Sequence, residues 1–274
     1  MGRKGKSSLR HRQFARAARK LKYLIVTGDD FGRSHEVNEA IERCHTAGFL
    51  TQASLMVNEP YAEEAVRIAQ RHPALCVGLH LTLCDGRASA ISAVTSSAGA
   101  FASSPARAGL RYAFDRSLAG PLQHEIRAQF ERFRALGCTP TYWDGHAHLH
   151  LHPTVLRLAV PVAVQQGFRA MRLVREPGPW ALLPQIFEWL SRAATPSLQR
   201  HAITFPDHTF GLRDTGRITT GIARRILQEL PDGVSEFYFH PGAEPGDIDY
   251  ARLRAAVDEF GITLRTSRPP PAAR

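Results

Sequence analysis

The chain has 274 residues, 43% hydrophobic and 22% charged, enough to bury one large core in a single domain of α/β-barrel size. Its formal charge of +10 is concentrated at one end: residues 1–22 hold nine lysines and arginines and no acid, which leaves a body near neutrality. That body offers no basic-aromatic platform, so no nucleic-acid partner is expected, and no apolar run approaches the ~20 residues that span a bilayer.

Taken in chain order, residues 1–21 read as a basic, flexible arm without the apolar core of a secretory signal. Phe14, Ala17, Ala18 and Leu21 recur at roughly helical spacing, so residues 1–22 could instead lie along an anionic membrane surface. From residue 22 to 266 the pattern alternates strand and helix. Strands are expected at 23–27, 52–57, 75–81, 141–144, 170–174, 201–205 and 236–240, with a short final run at 262–264. Helices are expected at about 36–47, 61–71, 121–136, 153–166, 184–192, 220–230 and 250–260. Pro121 and Pro153 mark helix starts, and Gly48, Gly137, Gly167 and Gly261 mark ends. Seven or eight such units predict a parallel sheet curled into a distorted (β/α) barrel, one α/β domain.

Two segments break the rhythm. Residues 85–120, rich in Ala, Ser and Gly, read as a long loop that is either a lid or an excursion. Residues 178–198 crowd Trp180, Leu182, Leu183, Ile186, Phe187 and Trp189 together, as a helix on the core or as a flap over an apolar substrate. Residues 267–274 read as a disordered, proline-rich end. The four cysteines show no C-x-x-C pairing and read as reduced thiols of a cytoplasmic protein, peripheral on the inner membrane face if the arm binds lipid.

Barrel enzymes keep their reacting groups at the C-terminal ends of strands. Here those ends carry Asp29 and Asp30, Asn58, His80, Asp144 with His146 and His148, Arg172 and Arg175, Asp207 and His208, and His240. One of two adjacent carboxylates can hold a cation while the other abstracts a proton from water. Acidic residues also end strands as turn formers, so the pair gains meaning only with the histidines. In the run 144–152, His146 is the expected metal ligand, with His148 or His150 in the substrate pocket or behind the ligands. His80, in Gly78-Leu-His-Leu81, is the third partner that Asp30 and His146 require. Arg172 or Arg175 would orient a sugar or the Asp29 carboxylate, and Asp207 and His208 are further candidates for substrate contact.

Four ordered motifs, Asp-Asp-Phe-Gly (29–32), Gly-Leu-His-Leu (78–81), Asp-Gly-His-x-His-x-His (144–150) and Phe-His-Pro-Gly (239–242), resemble those of the YdjC-like carbohydrate deacetylases across about residues 22–265. The resemblance implies metal-dependent removal of N-acetyl groups from amino sugars. It makes Asp30, His80 and His146 the ligands of one divalent ion, zinc or magnesium, with Asp29 the general base and His240 the general acid. Thr27-Gly28 and the segment 205–212 look more like the hopanoid-biosynthesis-associated branch, which implies a lipid-linked amino-sugar substrate. The residue inventory alone also suits a phosphoesterase with several metals, or a sugar-binding protein that catalyses nothing.

Overall fold

The computed structural model describes residues 21–268. Its strands are β1 (Lys22–Phe31), β2 (Gln52–Leu55), β3 (Cys76–Leu81), β4 (Tyr142–Gly145), β5 (Ala170–Met171), β6 (His208–Phe210), β7 (Gly233–Phe239) and β8 (Ile262–Leu264). Between them run α1 (His35–Thr46), α2 (Ala62–Arg71), α3 (Pro105–Phe114), α4 (Ala119–Ala135), α5 (Pro153–Gln165), α6 (Leu182–Arg200), α7 (Thr220–Glu229) and α8 (Tyr250–Glu259).

All strand pairs are parallel, in the order β5-β4-β3-β2-β1-β7-β6, with β8 also on β1. β1 is the hub. β7 follows it from Lys22 opposite Gly233 to Gly28 opposite Phe239, while β8 covers Lys22–Leu24 and β2 takes over from Thr27. Helices cover the outside, so β1 is buried on both faces from Leu24 onward, which explains its continuous apolar run. The core continues outward through Phe130, Phe133 and Phe168, all without solvent exposure, and burying each ring is worth about 1.5–3 kcal/mol. A tight contact between β3 and β4 depends on Gly78: a Cβ there would lie 2.5 Å from the Tyr142 ring.

The barrel is distorted at its seam. β5 and β6 share no ladder, only a bridge of Ala170 with Thr204 and single bonds such as Met171 N to Thr204 O at 2.9 Å and Thr209 N to Arg175 O at 3.0 Å. Two sequence expectations are corrected here. Residues 201–205 do not form a strand; the sixth strand begins seven residues later than expected, at His208, after Pro206, which has no N–H to donate. β5 stops at Met171 because Val174 N turns to Ser191 Oγ instead of a neighbouring strand.

The segment 85–120 is not a plain loop. It contains α3, capped by Ser104 accepting from Arg107 N, and its first part is pinned by Glu125, which accepts from Ser89 N and Oγ. α6 runs to Arg200, through Pro196, well beyond the expected 184–192. Ser267 N donates to Gln52 Oε1, and the Arg268 guanidinium donates to the carbonyls of Pro73 and Leu75. Residues 267 and 268 are thereby tied to the strand entries of the body. Apart from Leu21 and Lys22, the expected basic arm with its membrane contact lies outside the described residues, as do residues 269–274.

Candidate active site

A regular strand would send Asp29 and Asp30 to opposite faces. Asp30 instead has φ +64, and the β1–β2 register shifts between Gly28 and Phe31, so both carboxylates reach the cluster at the mouth of the barrel. A left-handed non-glycine residue costs about 1–3 kcal/mol, so packing around it must hold it there.

Asp30 Oδ1 lies 2.9 Å from His146 Nδ1 and 3.3 Å from His80 Nε2, and one ligand atom from each of the three residues lies within 4.8 Å of the others. The other His80 nitrogen, Nδ1, is 2.7 Å from Asp144 Oδ1, so it carries the donated proton and leaves Nε2 facing Asp30. Such a carboxylate behind an imidazole is the usual device for fixing the tautomer of a metal ligand. An anionic oxygen and two imidazole nitrogens, converging in a buried site, fit a divalent cation. Without a cation the same groups hold protons. Burial opposes a charge on His80, but Asp144 and Asp29 outweigh it and push its pKa up to about 10. Burial likewise opposes ionisation of Asp30, and the His146 and His80 hydrogen bonds bring its carboxyl well below the usual range. On the solvent side Arg33 spans Asp30 at 3.3 Å and Asp85 at 2.9 Å.

Arg172 organises the other side. It donates to both Asp29 oxygens at 2.8 Å, lies 2.8 Å from Asp144 Oδ2, and reaches Glu236 Oε1 at 2.9 Å. Ser54 Oγ and Thr27 Oγ1 add bonds to Asp144 and Glu236 at 2.7 Å. Burial works against the Asp29 carboxylate, yet Arg172, with His80 behind it, holds the group ionised well below its ordinary pKa. Arg172 is only 1% exposed, and its guanidinium is taken up by Asp29, Asp144 and Glu236.

The run after β4 is a tight turn in which Ala147 and His148 both have positive φ, 50 and 58. This conformation swings His148 inward, where Nε2 meets Tyr238 Oη at 2.8 Å. Burial, then Arg172, pushes His148 well below its ordinary pKa, and its Nδ1 has no hydrogen-bond partner among the described residues. His150 turns the other way: Nε2 donates to the Arg172 carbonyl at 3.0 Å, and burial lowers its pKa to about 4. His240, just after β7, sits 3.6 Å from Glu244 Oε1. Burial disfavours its charge, but Glu244 raises its pKa.

These groups floor a cavity of about 640 Å³, in which Asp29, His80, His146, His148, Tyr238 and His240 meet walls of Leu149, Leu183, Ile186, Phe187, Leu190 and Leu212. Arg175, Asp207, His208 and His150, the expected substrate contacts, are not among the residues that line it. Arg175 stacks over Phe205 and bonds Thr195. Asp207 accepts from Val234 N at the entry of β7, and His208 opens β6 opposite Ser235. Both stand at the entry of their strands because the sixth strand follows them instead of preceding them. Tyr238 and Glu236 escaped sequence reasoning. Alternation along β7 was the available signal: 236, 238 and 240 share a face.

Fold and site together define a parallel α/β-barrel protein whose buried carboxylate–imidazole cluster can take one divalent cation at the strand exits. The chain belongs to the YdjC-like protein family, which it matches over residues 23–265. It is 38% identical to a carbohydrate deacetylase of Brevibacillus brevis, over 80% of this chain and 80% of that one. It is 34% identical to a carbohydrate deacetylase of Mus musculus, over 80% and 77%. Its fold is similar to that of a protein assigned to cellobiose-phosphate cleavage in Enterococcus faecalis V583, at a TM-score of 0.67, 20% identity, and coverage of 90% and 98%.

Proposed function

We propose that the chain is a carbohydrate deacetylase that hydrolyses the N-acetyl amide of an amino sugar, carried on an apolar aglycone such as a hopanoid. The observation that carries the reading is the convergence of Asp30, His80 and His146, with His80 and His146 lining one cavity together with the buried Asp29. Asp30 Oδ1, His80 Nε2 and His146 Nδ1 are the ligand atoms for a single divalent ion. Mixed oxygen and nitrogen donors suit zinc, and magnesium or manganese is compatible with the carboxylate. When bound, the ion supplies a positive charge that polarises the amide carbonyl and lowers the pKa of a water molecule.

Asp29 accepts the proton of the attacking water. Its ionised state is secured by Arg172, which also directs the carboxylate. The same pairing makes Asp29 a weak base, so the proton must come from a water already acidified. His240 donates a proton to the departing amine. Its raised pKa keeps it charged nearer neutrality than a free imidazole. His148, neutral and with a free Nδ1, and Tyr238 face the sugar.

The cavity walls favour a lipid-linked sugar over soluble chito-oligosaccharides. Six aliphatic and aromatic side chains offer nothing to sugar hydroxyls, which lose free energy when buried without partners. The basic N-terminal residues would add attraction to anionic lipid.

The test is mass spectrometry of acetyl loss from N-acetylglucosaminyl glycolipids, with chelation and metal add-back. Asp29→Asn should bind the same single metal equivalent while kcat falls about 10²–10⁴-fold. Parental turnover in that variant removes Asp29 from its role, and two or more bound ions per chain would favour a phosphoesterase.

A further inference from the structure

We infer that the rim of the cavity docks on the surface of a lipid bilayer, with Trp180 and Trp189 as its indole anchors. The described chain buries its large apolar side chains well, yet a group of them stays exposed around this one opening. Trp180 is 77% exposed, Leu182 65%, Trp189 65%, Leu183 52% and Ile186 44%. No charged residue occurs between Glu176 and Glu188, so Gln185 is the one polar side chain in the run 177–187, while the Glu188–Arg192 ion pair borders Trp189. Leu183 and Ile186 belong both to the exposed patch and to the cavity wall. Patch and pocket are therefore one continuous apolar surface that leads from solvent to the Asp29 floor.

A second helix borders the opening. Ser104, Pro105 and Ala106 line the cavity where α3 begins, and along that helix Leu110 and Phe114 are 60% and 81% exposed, one turn apart. Arg107 and Arg111 alternate with them on the same exposed stretch, and Arg116 follows. No carboxylate pairs with any of the three among the described residues. Exposed aromatic and aliphatic groups interleaved with arginines that have no carboxylate partner among the described residues complement a layer of hydrocarbon beneath phosphates. Tryptophan is the side chain most at home at that boundary, since its ring is apolar and its N–H needs a polar partner. A second copy of the chain would bring arginines against arginines, which argues for lipid as the occupant. No helix among the described residues is long and apolar enough to cross a membrane, so the contact is peripheral.

Docking in this way lets a lipid-borne headgroup pass from the bilayer surface into the cavity without its hydrocarbon crossing water. This deepens the deacetylase reading and rests on it for the identity of the headgroup, whereas the contact itself rests on the rim. The basic N-terminal residues could also attract vesicles, but only anionic ones, and high salt would screen them.

The test uses the full chain with phosphatidylcholine vesicles, with and without phosphatidylglycerol, at low and high salt. Trp143 is wholly buried, so an emission shift to shorter wavelength on adding vesicles reports Trp180 and Trp189. The expected result is a blue shift, persisting in salt, and partition that weakens about tenfold or more in Trp180→Ser/Trp189→Ser. Neither indole lines the cavity, so that variant should keep parental turnover of a soluble N-acetyl amino sugar. Binding that needs anionic lipid and vanishes in salt overturns the proposal, as does equal partition of parent and variant. Concentration-dependent burial of the indoles without vesicles overturns it in favour of self-association. Vesicle docking by a protein that deacetylates nothing would sink the deacetylase reading and leave the docking surface standing.

Discussion

Arg172→Met should expose how the site is held together. The change keeps most of the side-chain volume and deletes a guanidinium shared by Asp29, Asp144 and Glu236 at 2.8–2.9 Å, with all four side chains at most 3% exposed. Removing one partner of a buried ion pair costs about 3–5 kcal/mol, because the remaining charge is left uncompensated. A domain of this size has only about 5–15 kcal/mol in total, so the loss is a large fraction of the whole. The cost should also depend on pH in a particular direction. Without Arg172, the burial that raises the pKa of Asp29 and Glu236 loses its main counterweight, so the native state should take up protons first on acidification. More protons on the native than on the unfolded state means that the variant gains stability as pH falls from about 7 to about 5. Urea unfolding followed by circular dichroism across that range should show a gap to the parent that is widest at neutral pH and narrows in acid. Arg172→Lys, which keeps a point charge but loses the planar fork, should fall between them. A loss below about 1 kcal/mol, the size of a surface pair, would refute the reasoning, and so would a gap independent of pH.

Asp144→Asn should weaken binding of the divalent ion about 10–100-fold while the chain still folds, since the amide no longer secures the proton on His80 Nδ1; calorimetric titration giving a Kd within about twofold of the parent would contradict this. The buried neutral His150, pushed down to about 4 by burial, takes its proton later than the same residue in the unfolded chain at about 6.5. Its contribution to stability, up to about 3 kcal/mol, should be complete above about pH 6.5 and disappear as pH falls through about 4. His150→Gln should flatten that part of the acid-unfolding profile, and an unchanged profile would assign the acid sensitivity to other groups.

Much of the architecture follows from local pattern. Apolar runs separated by helical periods, with prolines and glycines at the expected ends, mark β1, β2, β3, β4, β7 and β8. The regular part of the barrel was legible for this reason. The failures cluster at the seam. β5 has two residues and β6 has three, too few for alternation to show, and past β5 the backbone N–H of Val174 goes to Ser191 Oγ, which no local pattern encodes.

What sequence alone determined was which carboxylates and imidazoles stand at the exits of β1, β3, β4 and β7, since chain order and apolar runs set where those strands end. The three-dimensional structure decided which of these meet. Asp30 and His146 lie 116 residues apart and approach to 2.9 Å only because β1 and β4 exit at the same rim and Asp30 adopts a left-handed backbone. It also decided that Arg172 faces inward to three carboxylates, that His148 turns into the cavity while His150 turns away, and that Asp207 and His208 sit at the entries of their strands. These outcomes depend on backbone dihedrals and on desolvated charges finding partners far along the chain, and neither is written in the local order of residues.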